Sequence, residues 1–378
     1  MAGERYLRPT DPAGSDLEDL RRQVAHLSDT VGRAHPHRLR STPPRMAMFA
    51  LGVSVAALVA LVLNFVLDAA RERQQRSERI SLLLDDAFEL IGGSGGNPGG
   101  DEAPAVFTTA SVAVPADPER LARAQRRIER AIELDPQSGR AFRYLGYLHH
   151  EKNEPEAAVA ALQRAVALEP DYTMAFYLLA NAFFEAGRLD EAAAQYRKAI
   201  EHNPNHVFAY VGLGNTSLAV GEVDEAIELY RKALKVDAEC APAWLGLADA
   251  LRQKGDLGPA LAHYHSALER DPRLARAYEG MGLVYLEQGD TSQAVAHFRK
   301  AVELDTRSAT GYMNLGHSLL ASGQRSQAVA AYQTALARDP KLTAVQGYLE
   351  IARSGAALPP MVWRAKAPVP ASVSAPPP

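Results

Sequence analysis

The chain repeats itself with a period of 34 residues from residue 118 onward. Prolines recur at this spacing, at Pro136, Pro170, Pro204, Pro272 and Pro340. An alanine recurs with the same period, at Ala158, Ala192, Ala226, Ala260, Ala294 and Ala328. A large residue follows each alanine four positions later, at Leu162, Tyr196, Tyr230, Tyr264, Phe298 and Tyr332. A fixed period of this length predicts a stack of small units that bury their apolar faces against one another.

The pattern inside each unit predicts two helices. In the first half an aromatic residue stands before a Leu-Gly type pair, as in YVGLG, WLGLA and YMNLG. A glycine then ends that helix, where a left-handed cap favours a residue without Cβ. These glycines are Gly187, Gly221, Gly255, Gly289 and Gly323. The expected fold class is therefore all-α, built from helix–turn–helix repeats.

This pattern resembles the tetratricopeptide repeat family, whose period and residue pattern match. Six full units fit, at 139–172, 173–206, 207–240, 241–274, 275–308 and 309–342. A half unit at 118–138 precedes them, and a capping helix at 343–355 follows, as repeat arrays require. The resemblance implies a right-handed superhelical solenoid over 118–355. Unit one departs from the pattern, with Asn153-Glu154 in place of the closing glycine.

The segment 46–67, MAMFALGVSVAALVALVLNFVL, contains no charged residue. As a helix it would extend about 33 Å, against a hydrocarbon core of about 30 Å. We therefore expect a single transmembrane helix before the solenoid; a cleaved signal sequence and a buried core helix are the alternatives. The positive charges on its two sides balance, and the purely basic N-terminal flank favours an N-terminus in the cytoplasm with the repeats outside it. The composition, rich in alanine and arginine and poor in lysine, indicates a GC-rich bacterial genome, so the expected membrane is a bacterial inner membrane.

The remaining segments have simpler interpretations. Residues 1–45 form an N-terminal tail with a short amphipathic helix at 17–31, which is either a weak dimerisation helix or an ordinary one. Residues 68–91 form a juxtamembrane amphipathic helix. Residues 92–117, with GGSGGNPGG, are expected to be a flexible linker, and the proline- and alanine-rich tail 356–378 is expected to be disordered.

The half unit lacks its first helix, because AVFTTASVAVP at 105–115 has no helical period. Upstream, one helical face collects Ile80, Leu83, Leu84, Ala87, Phe88 and Ile91. We hypothesise that helix 72–91 folds back to replace the missing helix, with 92–117 as an insertion. A juxtamembrane stalk or a self-associating helix is the alternative.

Composition and motifs argue against catalysis. The net charge is −4 with mixed signs, so we expect no nucleic-acid partner. Cys240 is the single cysteine, which excludes an intrachain disulfide and cysteine-rich zinc modules. Neither a P-loop nor a G-x-S-x-G motif occurs, and the spacing of His202 and His206 is interrupted by a proline. We expect no enzyme, no cofactor and no metal.

In the tetratricopeptide family the first helices line a concave groove that commonly receives an extended peptide or a partner helix. The resemblance places these residues in the groove: Arg140, Arg143, Tyr147, Tyr177, Asn181, Phe184, Phe208, Val211, Asn215, Leu218, Asp249 and Arg252. Unit one is then basic, units two and three apolar with two amides in register, and units four and five of mixed charge. Leu178 and Gly212 do not match the carboxylate clamp of chaperone-binding members.

Two groups of the predicted groove residues have two possible interpretations each. Asn181 and Asn215 either hold the backbone of an extended ligand or are simply the common residue of the family. Tyr177, Phe184 and Phe208 either form an exposed interface or are partly covered by neighbouring helices. The sequence as a whole predicts a membrane-tethered adaptor, anchored by 46–67, that binds a client protein for assembly or secretion of a partner complex. A self-associating scaffold, in which the repeats and N-terminal helices build a homo-oligomer, is the alternative.

Overall fold

A computed structural model of the protein describes residues 44–91 and 117–355, with side chains from residue 62 onward. The predicted N-terminal helix at 17–31, most of the linker 92–117 and the tail 356–378 lie outside these residues. The chain divides into two compact units, Met1–Ser77 and Glu78–Pro378. The described part of the first unit is the beginning of one helix.

The described residues form fifteen helices, with no strand among them, which confirms the all-α fold. They are α1 Pro44–Ile91, α2 Pro118–Leu134, α3 Gly139–Glu151, α4 Pro155–Leu168, α5 Thr173–Glu185, α6 Leu189–His202, α7 Val207–Val220, α8 Val223–Val236, α9 Ala241–Lys254, α10 Leu257–Arg270, α11 Ala275–Glu287, α12 Thr291–Leu304, α13 Ala309–Ala321, α14 Arg325–Arg338 and α15 Thr343–Ser354. Each 34-residue unit contains one pair of helices, from α3 and α4 to α13 and α14.

The predicted membrane anchor is wrong. Residues 46–67 are not a separate helix but the beginning of α1, which continues to Ile91. Within the described part of the chain, no helix combines the length and the apolar character that a bilayer crossing requires. The single-pass placement in a bacterial inner membrane, and the orientation derived from it, are corrected accordingly.

The turn inside each unit depends on one residue in the left-handed conformation. Gly221 has φ +92° and Gly255 has φ +95°, at the positions where the sequence predicts closing glycines. In unit one Asn153 adopts φ +58°. Asparagine is the common substitute for glycine in this conformation, so unit one keeps the same turn without a glycine.

Neighbouring units interlock around one aromatic ring each. Tyr230 of α8 is fully buried, and its ring lies between the backbones of Gly214 in its own unit and Gly246 in the next. A Cβ added to Gly246 would lie 2.3 Å from Cε1 of the tyrosine ring, so a side chain at that position would displace the ring. The large residue of the repeat therefore fills the space that the small residues leave, across the boundary between two units.

The last part of α1 occupies the place of the missing first helix of the half unit. Leu84, Ala87, Phe88 and Ile91 form one buried cluster with residues of α2 and α3, including Ile128 and Tyr144. The carbonyl of Leu90 accepts a hydrogen bond from Arg120 at the beginning of α2, and Asp86 pairs with Arg127 further along the same helix. These contacts run antiparallel to α2. They confirm the hypothesis that this helix folds back onto the half unit.

The other end of the array is covered by α15. Its face of Val345, Leu349 and Ala352 is buried, and its opposite face is exposed and largely polar. Such a helix ends a repeat array, because it covers the last apolar surface without offering another.

Candidate partner-binding groove

The ninth positions of four units hold polar side chains that are bound by a tyrosine of the same unit. The tyrosine stands 15 residues later, on the second helix, and its hydroxyl reaches the first helix. The pairs are Asn181–Tyr196, Asn215–Tyr230, Asp249–Tyr264 and His317–Tyr332. Each tyrosine is buried. Its hydroxyl forms its hydrogen bond at the ninth position, which the family resemblance assigns to the predicted groove.

Unit five shows the same relationship in apolar form. Its ninth position is Leu283, and the residue 15 positions later is Phe298. Where the ring has no hydroxyl, the position that would accept the hydrogen bond has no polar atom. A buried donor or acceptor without a partner is costly, so in units two to six the two positions are polar together or apolar together.

The two groove asparagines are held by their side-chain oxygens. The Tyr230 hydroxyl donates to Oδ1 of Asn215 at 2.7 Å, and Tyr196 donates in the same way to Oδ1 of Asn181. Both asparagines are half-buried. An amide has one acceptor oxygen and two N–H donors, so the bond from the tyrosine hydroxyl fixes the side chain through its oxygen only. Asn181 also forms a hydrogen bond with the Tyr177 hydroxyl.

Of the two alternatives for the predicted aromatic cluster, coverage by neighbouring helices applies to two of its three members. Tyr177 is 3% exposed and Phe184 is 9% exposed. Tyr177 packs against Tyr196, with ring centroids 6.1 Å apart, and against His206 at 4.9 Å, and burial raises its pKa to about 12. Adjacent first helices stack closely enough to cover these rings.

The remaining apolar positions of the predicted groove divide in the same way. Tyr147 and Val211 are buried, whereas Phe208 and Leu218 are half-buried. The apolar part of the groove that is accessible to a partner thus lies on α7, beside Asn215.

The basic surface predicted for unit one is neutralised inside the chain. Arg140 pairs with Asp85 of α1. Arg143 is 7% exposed, pairs with Glu169 at 2.8 Å and lies over the Tyr172 ring, 3.7 Å from its centroid. Neither guanidinium is available as a free positive charge for the anionic end of a ligand.

The charges of units four and five are also paired across the boundary between the units. Arg252 donates to Glu287 at 2.9 Å, and Arg276 lies 3.4 Å from Asp249. Glu279 accepts a hydrogen bond from Ser308 at 3.1 Å, and burial raises its pKa. These pairs connect consecutive first helices and leave this stretch of the groove close to electroneutral.

The histidines of this region contact carboxylates or stack on aromatic rings. His150 lies 2.7 Å from Glu185 in the next unit, His263 stacks on Trp244 at 5.3 Å, and His297 stacks on Tyr285 at 5.1 Å. Burial lowers the pKa values of His263 and His297. Across the residues that the structure describes, no group of three or more His, Cys, Asp or Glu side chains is arranged to hold a metal ion.

Sequence reasoning missed the partners of the groove residues. The first set consists of the tyrosine hydroxyls that bind the ninth residue of the same unit, 15 positions earlier. The signal in the sequence was unit five, where both positions are apolar, as Leu283 and Phe298. The second set is Glu185 and Glu287, which lie 35 residues after their partners His150 and Arg252. That separation is one repeat plus one residue, which brings the two side chains together across a unit boundary.

Comparisons with known proteins agree with this architecture. A family profile described as the cilia and flagella-associated protein 70 C-terminal domain, of tetratricopeptide repeat type, matches residues 172–357. A second profile, described as tetratricopeptide repeat, matches residues 117–172. A comparison with curated protein sequences found no match.

Several solved structures share the fold at low sequence identity. A tetratricopeptide repeat protein from Parabacteroides merdae has a TM-score of 0.56 at 16% identity, covering 73% of this chain and 99% of that one. The Cut9–Hcn1 hetero-tetramer structure of APC/C has a TM-score of 0.55 at 17% identity, covering 64% of this chain and only 49% of that one. PilW, a type IV pilus biogenesis factor, has a TM-score of 0.50 at 18% identity, covering 56% of this chain and 99% of that one.

The two profiles together cover the helices from α2 to α15, and the left-handed turns, interlocking rings and terminal capping helix occur at the positions that the period predicts. On this evidence the chain is a member of the tetratricopeptide repeat family.

Proposed function

We propose that the protein is a non-catalytic scaffold that binds an extended segment of a protein partner along the first helices of units two and three. The observation that carries this proposal is the pair of half-buried amides, Asn181 and Asn215, each held by a buried tyrosine hydroxyl. Side chains fixed in advance lose little conformational entropy when a ligand arrives, which favours binding.

The spacing of the two amides supports a particular ligand geometry. Equivalent positions on packed helices of adjacent units are separated by about 8–10 Å. A polyproline II segment has three residues per turn and rises about 3.1 Å per residue, so every third carbonyl returns to the same side roughly 9 Å further on. Two such carbonyls can accept hydrogen bonds from Asn181 and Asn215 together.

The surroundings of Asn215 support an uncharged, partly apolar ligand. Phe208 and Leu218 are the half-buried apolar side chains on the same helix, and they offer a contact for an apolar side chain between the two carbonyls. The charged groups on either side are already paired within the chain, at Arg140–Asp85 and Arg252–Glu287. A peptide with an anionic end is therefore not the ligand that this surface favours.

A binding role also agrees with the state of the reactive groups. The Cys240 thiol is buried, and burial raises its pKa to about 11, which disfavours the nucleophilic thiolate. That the partner belongs to a larger assembly is part of the proposal. It is motivated by the assembly contexts of two proteins with this fold, Cut9–Hcn1 and PilW.

The proposal is tested with a displayed library of random uncharged decapeptides selected on the full chain. The variant pair Asn215→Leu with Tyr230→Phe introduces the combination that the chain itself uses at Leu283 and Phe298, so packing is kept while the amide is lost. The same change is made at Asn181 and Tyr196. We expect selected peptides to bind the combined variant at least about tenfold more weakly, since two hydrogen bonds of about 1 kcal/mol each are removed.

Gln327→Ala, on the exposed side of α14, is the matched control and should leave peptide binding unchanged. Equal binding of the selected peptides to the wild type and to the combined variant, with both folded, would rule out the asparagine pair as the binding site.

A further inference from the structure

The contacts that hold the last part of α1 on the repeat array could be made by the α1 segment of the same chain or by that of another copy. Leu84 and Phe88 are buried in a cluster with α2 and α3. The Phe88 ring lies 5.7 Å from the Tyr144 ring and 6.3 Å, edge to face, from Tyr147. This is the arrangement of an amphipathic helix that lays its apolar face in a groove.

Three arginines hold the polar edges of the same segment. Arg120 donates to the carbonyl of Leu90, Arg127 lies 3.3 Å from Asp86, and Arg140 pairs with Asp85. Two adjacent carboxylates on one helix thus meet cations from two different helices, which fixes the register of docking as well as its charge.

The repeats use the same type of contact among themselves. Arg140 and Arg276 both occupy the second position of their units, and Arg276 pairs with Asp249, the ninth residue of the preceding unit. Asp85 takes the place of that ninth residue for unit one. The α1 segment therefore docks by the rule that joins one unit to the next, although it is not part of the 34-residue period.

The connection between α1 and α2 is much longer than the docked state needs. The Leu90 carbonyl is hydrogen-bonded to the third residue of α2, so the two helix ends are adjacent. Residues 92–116 nevertheless lie between them, and a chain of that length can span roughly 80 Å when extended. The same contacts can therefore be made by the α1 segment of the same chain or by that of another copy.

We propose that the surface formed by α2 and α3 is an exchange site whose partner is residues 78–91 of a second copy of this chain. Reciprocal exchange joins two repeat arrays into a dimer in which every contact of the closed chain is kept. Once one segment has crossed, the second exchange occurs within the pair instead of between separate molecules, which raises its effective concentration. The dimer presents two partner-binding grooves, although the exchange itself does not rest on the groove proposal.

The test uses two full-length chains with opposite charge reversals. One chain carries Asp85→Arg and Asp86→Arg in the α1 segment, and the other carries Arg127→Asp and Arg140→Asp in the docking surface. Each chain alone brings like charges together when it closes on itself. In a mixture, the altered segment of the first chain matches the altered surface of the second, and the two unaltered partners match as in the wild type.

Light scattering coupled to size-exclusion chromatography gives the result. We expect a 1:1 mixture to have twice the molar mass of one chain, and each variant alone to have the mass of one chain. A single chain with all four substitutions restores the charge pairs within itself and should have the molar mass and the circular dichroism of the wild type.

A mixture that keeps the mass of one chain, while the fourfold variant is folded, would overturn the proposal. A fourfold variant that does not fold would overturn it as well, because exchange requires these charge pairs to be interchangeable. Leu82→Arg, at a side chain that is 66% exposed, is the matched control: it adds a charge to the same helix and should not create pairing with either variant.

Discussion

The hydroxyl of Tyr230 donates to Asn215 at 2.7 Å while the ring of the same tyrosine lies between Gly214 and Gly246. One side chain thus joins the second helix of unit three to the first helices of units three and four. The arrangement recurs along the array with different residues at the accepting position, and it can be tested separately for its steric and its polar part.

Gly246→Ala tests the steric part. The new Cβ would lie 2.3 Å from the Tyr230 ring, and overpacking of this kind typically costs about 1–3 kcal/mol. We expect a lower thermal unfolding midpoint. Gly347→Ala in α15 is the control, because no atom lies within 4 Å of its added Cβ. Alanine there should raise the midpoint slightly through its better helix propensity, and equal effects of the two changes would contradict the interlocking account.

Tyr230→Phe tests the polar part. The change removes the donor to Asn215 and should reduce the free energy of unfolding by about 0.5–1.5 kcal/mol. Asn215→Leu in addition should recover part of that loss, because unit five is built with Leu283 and Phe298 at these positions. A double-mutant cycle measured by urea unfolding gives the coupling energy. Additive losses would mean that the two side chains act independently.

The burial of the His317 ring predicts that the folded protein loses stability in mild acid. The ring is buried beside Tyr332 and Tyr348, and burial lowers its pKa from 6.5 to about 4. The unfolded chain therefore binds more protons between these values, so stability that is fully present above about pH 6.5 falls as the pH approaches 4. The linkage amounts to about 3 kcal/mol at most.

The control for this prediction is His317→Asn, which supplies the acceptor that units two and three use for their tyrosines. The variant should unfold with a weaker dependence on pH between about 6.5 and 4. Urea unfolding of both proteins at several pH values measures the difference, and parallel pH profiles would contradict the role assigned to His317.

Phe88→Ala tests the docking of α1. Removing a buried phenylalanine costs about 3–5 kcal/mol, and here the cost falls on the segment that Phe88 anchors. We expect hydrogen exchange of residues 80–91 to accelerate strongly while exchange in α9 to α15 stays unchanged. Leu82→Ala, on the exposed side of the same helix, should leave exchange nearly as in the wild type. Uniform acceleration throughout the array would show that the segment does not open by itself.

The period predicted the unit boundaries of the helices and the interlocking positions because both follow from a strict 34-residue register. The apolar face of residues 80–91 predicted the docking of α1, since six apolar residues on one helical face need a partner. Burial of Tyr177 and Phe184 could not be predicted in this way. The position of a residue in the repeat determines the direction of its side chain. Whether a partner can reach that side chain depends on how closely the first helix of the neighbouring unit packs against it.

The ion pairs could likewise not be predicted from the sequence, because the partners lie outside the helix that carries the arginines. Arg140 pairs with Asp85, and Arg143 pairs with Glu169. The membrane prediction took the uncharged segment 46–67 as a helix of its own, whereas in the structure it belongs to α1, which continues through Asp68 to Ile91.

The double attachment of Tyr230 has a mechanical consequence. Its ring sets the spacing between units three and four, and its hydroxyl holds a side chain on the inner surface of the array. If a partner segment binds as proposed, a force that it applies to Asn215 is transmitted through one hydrogen bond to the ring at that joint. The position of Asn215 and the spacing between units three and four are therefore coupled through a single side chain.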